Sequence, residues 1–354
     1  MQLFNPNLQN KTMTPSTYQQ MIGLNKNNVL EFKGSYCNIA LCPDMGGRVF
    51  VEIDGISPHR IDLETVKNPD KPFNNYGGGN VWPAPEGGMF GFNYRGNEWY
   101  VQPAINKEPF QIVDQHSKSA TIQKKIKLTN RLGTVVKTTM TRQFSLLANL
   151  PTILNNQTIK CALSYETIDT FEVNNSVKIE QAILASWTLE QFQATRSTVA
   201  FVLVEKPRSA INFDFYDHPG ERIQYHEKGF TYKADGQCKG QIGIRKESQA
   251  TLIGFYDLSQ NLLCFRQKIN PDSGVFFNIA DNDQLQGPYS AADTYSIFNS
   301  DPDMMAFELE TIGGANVNNG LLTGSELTSR TTFALFDSSK ILDEYVATLL
   351  GKRV

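Results

Sequence analysis

Strict alternation constrains this chain more than any other feature. Between residues 134 and 144, Val136, Thr138, Met140, Arg142 and Phe144 fall on one face of an extended backbone, with Lys137, Thr139, Thr141 and Gln143 on the other. Residues 120–128 repeat the pattern, setting Ile122, Ile126 and Leu128 against Thr121, Gln123, Lys125 and Lys127. A period of two belongs to a strand with one buried face, whereas a helix needs its apolar positions every three or four residues. Asn130 and Gly133 supply turn chemistry between the two runs, so together they predict a hairpin.

Further strand-like runs occur at 29–32, 48–53, 99–101, 178–189, 200–204, 241–244, 251–256, 262–267, 275–279, 305–312 and 331–336. No regular helices intervene, which argues for an all-β sandwich over a parallel sheet with crossover helices. Two short helices are expected at the ends. One starts at Pro15 behind Thr14 as N-cap and runs to Leu24; the other starts at Ser338 or Ser339 and repeats Ile341, Leu342, Tyr345, Val346, Leu349 and Leu350 at helical spacing before Gly351. Nothing in the 354 residues reads as an interdomain linker or an internal repeat. The expected organisation is an N-terminal extension with a short helix over residues 1–28 and a single β-sandwich domain over 29–354.

A net charge of −3, with both signs scattered, leaves no basic stripe for a phosphate backbone, so nucleic acid is not an expected partner. No stretch reaches the roughly 18 apolar residues of a membrane-spanning helix, and anionic membrane surfaces are disfavoured by the same charge. The first twenty residues lack the apolar run of a signal peptide, and a cytoplasmic location is expected. Cys37, Cys42, Cys161, Cys238 and Cys264 fit neither a disulfide framework nor a zinc spacing and are read as reduced, buried thiols. No ligand spacing implies a metal or a cofactor. The oligomeric state is not fixed by the sequence.

Candidate chemistry begins in a glycine-rich stretch, residues 74–96, read as a loop. It holds Trp82 and Glu86, with Trp99 and Gln102 close behind, and it lacks the lysine of a phosphate loop. Bare backbone beside aromatic rings and a carboxylate suits a sugar, although the same tryptophans also suit a core. Downstream, alternation puts Phe307 and Leu309 on one face and Glu308 and Glu310 on the other, an arrangement that fits acid–base work or a solvated strand face. Arg142, on the apolar side of its strand, requires a partner and is read as a structural ion pair or a ligand clamp. His59, His116, His218 and His226 lie in polar, loop-like segments and are expected at the surface.

At these residues the sequence resembles the galactose mutarotases (aldose 1-epimerases). Leu309-Glu310-Thr311, then Ala315-Asn316 and Leu322-Thr323-Gly324-Ser325-Glu326, is similar to the family's Leu-Glu-Thr run and the turn that follows it. Glu86-Gly87-Gly88 with Gly91-Phe92 and Trp99 resembles the family's His-Gly-Gly segment, a Glu standing where the family has a sugar-contacting His. Pro43-Asp44-Met45-Gly46-Gly47-Arg48-Val49 is similar to the early strand of these proteins. The resemblance implies a galactose mutarotase-like β-supersandwich with short terminal helices that binds a small-molecule carbohydrate and acts as an isomerase at the anomeric carbon. It assigns Glu310 as catalytic base; on an enzyme reading Glu86 replaces the missing histidine as acid, and Trp82, Trp99, Arg48, Arg142, Trp187, Gln191 and Glu308 are the candidate substrate contacts. On this reading Arg142 keeps Glu310 ionised, and burial keeps Glu86 protonated. The family's second histidine has no counterpart in the run from Leu184 to Gln191. A non-catalytic sugar-binding protein therefore stays open as an alternative, as does a glycoside hydrolase using Glu86 and Glu310 as its carboxylate pair.

Overall fold

Two antiparallel sheets face each other. The computed structural model describes residues 15–25, 29–34, 36–69, 71–155, 157–213, 218–270, 273–275 and 292–354. One sheet has nine strands, in the order Leu30–Lys33, Cys37–Cys42, Arg48–Ile53, Gly78–Ala84, Ala185–Gln193, Ala306–Ile312, Asp293–Asn299, Gly240–Arg245 and Ile211–Asn212. The other has eleven strands and centres on Leu321–Phe336 and Ile159–Val173, paired along nearly their whole length. The expected hairpin joins Ser119–Thr129 to Val135–Leu146, with Lys127 opposite Lys137, and the predicted inward set Val136, Thr138, Met140, Arg142 and Phe144 is buried.

The sheets meet through aromatic packing. Phe192 and Phe307 of the nine-stranded sheet stack at 5.3 Å between centroids, and Phe255 of the other sheet lies 4.8 Å from Phe192 and 4.9 Å from Phe307. The C-terminal helix Ser339–Leu350, capped by the Ser338 hydroxyl, buries Leu342, Tyr345, Val346 and Leu350 on the outer face of the eleven-stranded sheet; Ile341 and Leu349 complete that contact. The N-terminal helix Thr17–Leu24 begins one residue after Ser16, which forms a capping box with Gln19. The expected cap Thr14 lies outside the described residues. None of the described helices is long and apolar enough to cross a membrane.

Several sequence expectations need correction. Gly78–Ala84, inside the stretch read as a loop, is a central strand. Its glycines permit close approach: at Gly77, φ +83°, a Cβ would sit 1.9 Å from the Arg60 carbonyl oxygen. Pro83 is tolerated because Arg48–Ile53 pairs with this strand only at Val49 and Gly79, leaving no ladder bond on that side for Pro83 to forfeit. The run at 178–189 becomes a strand only from Ala185. Of the run at 275–279, Val275 bridges Ala315 and the remainder lies outside the described residues. Cys238 is exposed, whereas Cys42 and Cys264 are buried.

His59 is the clearest departure, since it is 2% exposed. Its Nδ1 accepts the Val51 amide N–H at 3.1 Å, so the ring proton sits on Nε2, 2.8 Å from Glu190 Oε1. Glu190 also receives the Tyr165 hydroxyl, the Thr331 hydroxyl at 2.9 Å and Arg266 at 2.7 Å, all three from the opposite sheet. Burial opposes ionisation of Glu190, but the Arg266 charge and these donors prevail and hold its carboxyl down at about 2.

Arg142 makes a second polar crossing. Its guanidinium grips Asp169 through two nitrogens, at 2.6 and 3.0 Å, and gives its remaining N–H groups to the Gly47 and Gly79 carbonyls at 2.7 and 2.9 Å. It is a structural ion pair and lines neither of the two cavities described below, which corrects its assignment as a substrate contact.

Two outcomes are expected from these crossings. Replacing Arg142 by Leu strands the buried Asp169 carboxylate, so urea denaturation should show a loss of roughly 3–5 kcal/mol. A carboxyl depressed in the folded state contributes stability that is present above its unfolded pKa and lost as pH falls through its folded one. Stability should therefore decline from about pH 4.5 towards about pH 2, and Glu190→Gln should flatten that part of the acid-unfolding curve.

Candidate active site

The polar crossings fix which way each central strand presents its side chains. With Thr188, Glu190 and Phe192 turned towards the other sheet, Trp187, Leu189 and Gln191 must face away from it. Register carries this parity to the neighbours: Trp187 lies opposite Trp82, Leu189 opposite Asn80 and Glu310, and Gln191 opposite Gly78 and Glu308. On the next strand Ser296 pairs with Glu310 and Phe298 with Glu308. This outward face lines a cavity of about 660 Å³. Segments outside the sheet add Phe73, Asn75, Glu86, Trp99 and Lys239 to its wall, and Gln241 enters from the strand Gly240–Arg245 beyond.

One side of the cavity is aromatic. Phe73 meets Trp82 and Trp99 edge to face at 5.7 and 5.2 Å, and Trp82 meets Trp187 likewise at 6.1 Å. Trp82 and Trp187 are nearly fully buried, while Trp99 is 42% exposed at the rim. The indole N–H of Trp99 donates to Glu86 Oε1 at 2.9 Å. The Trp82 indole N–H is buried and finds no hydrogen-bond partner among the described residues.

The opposite side is acidic. Glu310 accepts the Trp187 indole N–H at 3.1 Å and the Gln241 amide at 3.2 and 3.3 Å. Desolvation raises its carboxyl well above the ordinary range; the neighbouring Glu308 and Glu86 charges push the same way, and the Trp187 and Ser296 donors oppose them without prevailing. Glu308 accepts the Gln191 amide at 2.7 Å and is likewise raised by burial, a rise moderated by that hydrogen bond and by Arg48 and Arg60. Arg48 is itself buried, bonded to the Gly77 and Met45 carbonyls at 2.9 and 2.6 Å, and burial draws its guanidinium down to about 10.

Of the residues singled out in the sequence, Arg48, Trp82, Glu86, Trp99, Trp187, Gln191, Glu308 and Glu310 line this one cavity. Arg142 does not. With Arg142 committed to Asp169, the expected cation does not hold Glu310 down, and its carboxyl is raised, the reverse of the preference assigned from sequence. Sequence reasoning missed Phe73, Asn75, Asn80, Lys239, Gln241, Phe298 and Met304. For Gln241 a signal existed, because Ile242 and Ile244 alternate with Gln241 and Gly243; Asn80 and Phe298 depend on strand register, and Phe73, Asn75, Lys239 and Met304 come from segments outside the strands. Among the described residues no group of three His, Cys, Asp or Glu side chains is placed to hold a metal ion.

Removing the Glu308 charge should lower the Glu310 carboxyl. Carboxyl-carbon NMR titration of Glu308→Gln beside wild type measures the shift, and an unmoved Glu310 would show that burial alone sets it.

Solved structures of similar architecture include the Slr1438 protein from Synechocystis sp. PCC 6803, with 13% identity, TM-score 0.50, and coverage of 86% of this chain and 94% of that one. A galactose mutarotase-like protein from Lactobacillus casei ATCC 334 has 11% identity, TM-score 0.46, and coverage of 86% and 98%. A galactose mutarotase related enzyme from Lactobacillus acidophilus has 10% identity, TM-score 0.47, and coverage of 88% and 99%. At such identities the likeness is one of fold. Among curated proteins none matches the sequence. Residues 16–353 match a family of unknown function, DUF6786, and the chain belongs to that family.

Proposed function

We propose that the cavity binds a monosaccharide and that the protein interconverts its anomers. The observation carrying this reading is the facing of a buried, proton-holding Glu310 against an aromatic wall within one cavity. Indole and phenyl faces suit the apolar C–H face of a pyranose, and carboxyl and amide groups suit its hydroxyls. The unbonded Trp82 N–H supports a polar ligand, since a buried donor without a partner costs free energy that a ligand oxygen would recover.

Ring opening needs one group to accept the anomeric hydroxyl proton and another to donate to the ring oxygen. Environment divides these roles between Glu310 and Glu86. Glu310, protonated through burial and like charge, donates; Glu86, accepting from Trp99 at the cavity rim, is the proton acceptor. As the ring C–O bond breaks, the open aldehyde forms; rotation about the adjacent C–C bond and reversal of both transfers give the other anomer and restore both carboxyl groups.

A binding protein without catalysis is the second reading, and one observation favours it. His59, the buried histidine, is spent on Glu190 between the sheets, leaving the cavity no imidazole among its lining residues.

Glu310→Gln should slow NMR-monitored anomer exchange by roughly 10²–10⁴-fold, the usual contribution of a general acid, with sugar binding largely retained. Since the donor must be protonated, the wild-type rate should fall as pH rises through the raised Glu310 pKa. Wild-type binding without any acceleration of exchange would decide for the second reading.

A further inference from the structure

A second cleft, of about 470 Å³, lies beside the hairpin formed by Tyr94–Arg95 and Glu98–Trp99. It differs in charge from the first. Arg95, Lys127 and Arg131 line it against a single carboxylate, Glu108, giving an excess of positive charge. Two of the cations are held in place by aromatic rings: the Arg95 guanidinium lies 4.0 Å from the Tyr100 centroid and that of Arg131 lies 4.8 Å from the Tyr94 centroid. Among the described residues neither Arg95 nor Lys127 forms an ion pair. The wall itself is fixed, because the Gln102 side chain bonds both the N–H and the C=O of Thr129 at 2.9 Å, pinning this segment to the neighbouring strand.

From this geometry we infer that the cleft is a binding site for a small phosphorylated anion, separate from the main cavity and joined to it through the hairpin. Ring-held guanidinium groups and an ammonium converging on one concave surface meet the need of a phosphate, which takes several charge-assisted hydrogen bonds at once. The link to the main cavity is short. Tyr94 of the cleft pairs across the hairpin with Trp99, and Trp99 lines the main cavity and holds Glu86. An anion that reorients Arg95 or Arg131 therefore acts on the strand pair carrying Trp99. The inference does not depend on what the main cavity binds.

Calorimetric titration of the full chain with inorganic phosphate, set against chloride at matched ionic strength, tests it. Phosphate should bind in the millimolar range or tighter. Arg95→Gln and Lys127→Gln, both at exposed positions, should each weaken it by about tenfold, as the loss of one charge-assisted contact predicts. Glu108→Gln removes the opposing charge and should tighten binding, whereas Glu310→Gln in the other cavity should leave it unchanged. Phosphate should also alter tryptophan emission, and Trp99→Phe should abolish that change while preserving the calorimetric signal. Absent binding, or affinity indifferent to Arg95, Lys127 and Glu108, would overturn the site; binding with emission unaltered would overturn its connection to Trp99.

Discussion

The inward placement of Glu190 is the constraint from which the rest of the molecule follows. Its carboxylate receives His59 from its own side of the sandwich and Tyr165, Thr331 and Arg266 from the opposite sheet, so both sheets converge on one buried charge. Such a charge tolerates no register slip, since moving the strand by one residue would expel it and bury Leu189 or Gln191 in a site built for an anion. Arg142 performs the complementary service: an arginine of the eleven-stranded sheet, neutralised by Asp169, holds the Gly79 carbonyl of the other sheet and the Gly47 carbonyl in the turn before Arg48–Ile53. Gly79 adjoins Gly78 and Asn80, which line the main cavity, so the frame of that cavity is anchored from behind.

Two glutamates on adjoining strands show how far environment governs an acid. Glu190 pairs in register with Leu309, and Glu310 with Leu189, so the two carboxyl groups emerge from opposite faces of the same pair of strands. Both are about 1% exposed. Glu190 meets a guanidinium and several donors and stays ionised far into the acid range; Glu310 meets two further carboxyl groups and neutral donors, and its affinity for a proton rises. Side-chain parity, a property of the backbone, has become a difference in proton affinity.

That parity was legible in the sequence wherever a strand buries one face. Phe307 and Leu309 against Glu308 and Glu310 could be read directly, and so could the inward Arg142. The chain could not disclose partners. Whether a buried arginine answers a carboxylate or a ligand depended on Asp169, brought opposite Arg142 by strand pairing. His59 was misread for a related reason, because its neighbours Pro58 and Arg60 look like a loop while its true environment comes from Glu190, 131 residues away in sequence. The glycine-rich strand was hidden by composition: glycine and proline usually signal turns, and here they admit close backbone approach. Lining residues such as Phe73 and Met304 had no local signature, since segments outside the sheet deliver them.

Because most core and cavity residues occupy alternate positions of the same strands, the two faces share few side chains beyond Trp82 and Trp187. A substitution at Trp187 or Gln191 reshapes the cavity while Thr188, Glu190 and Phe192 continue to hold the sandwich together. Heredity can then edit the two faces as nearly separate texts, one slow to change because a buried charge network punishes error, the other free to be rewritten. A scaffold of this kind can lose or exchange a cavity side chain without passing through an unfolded ancestor.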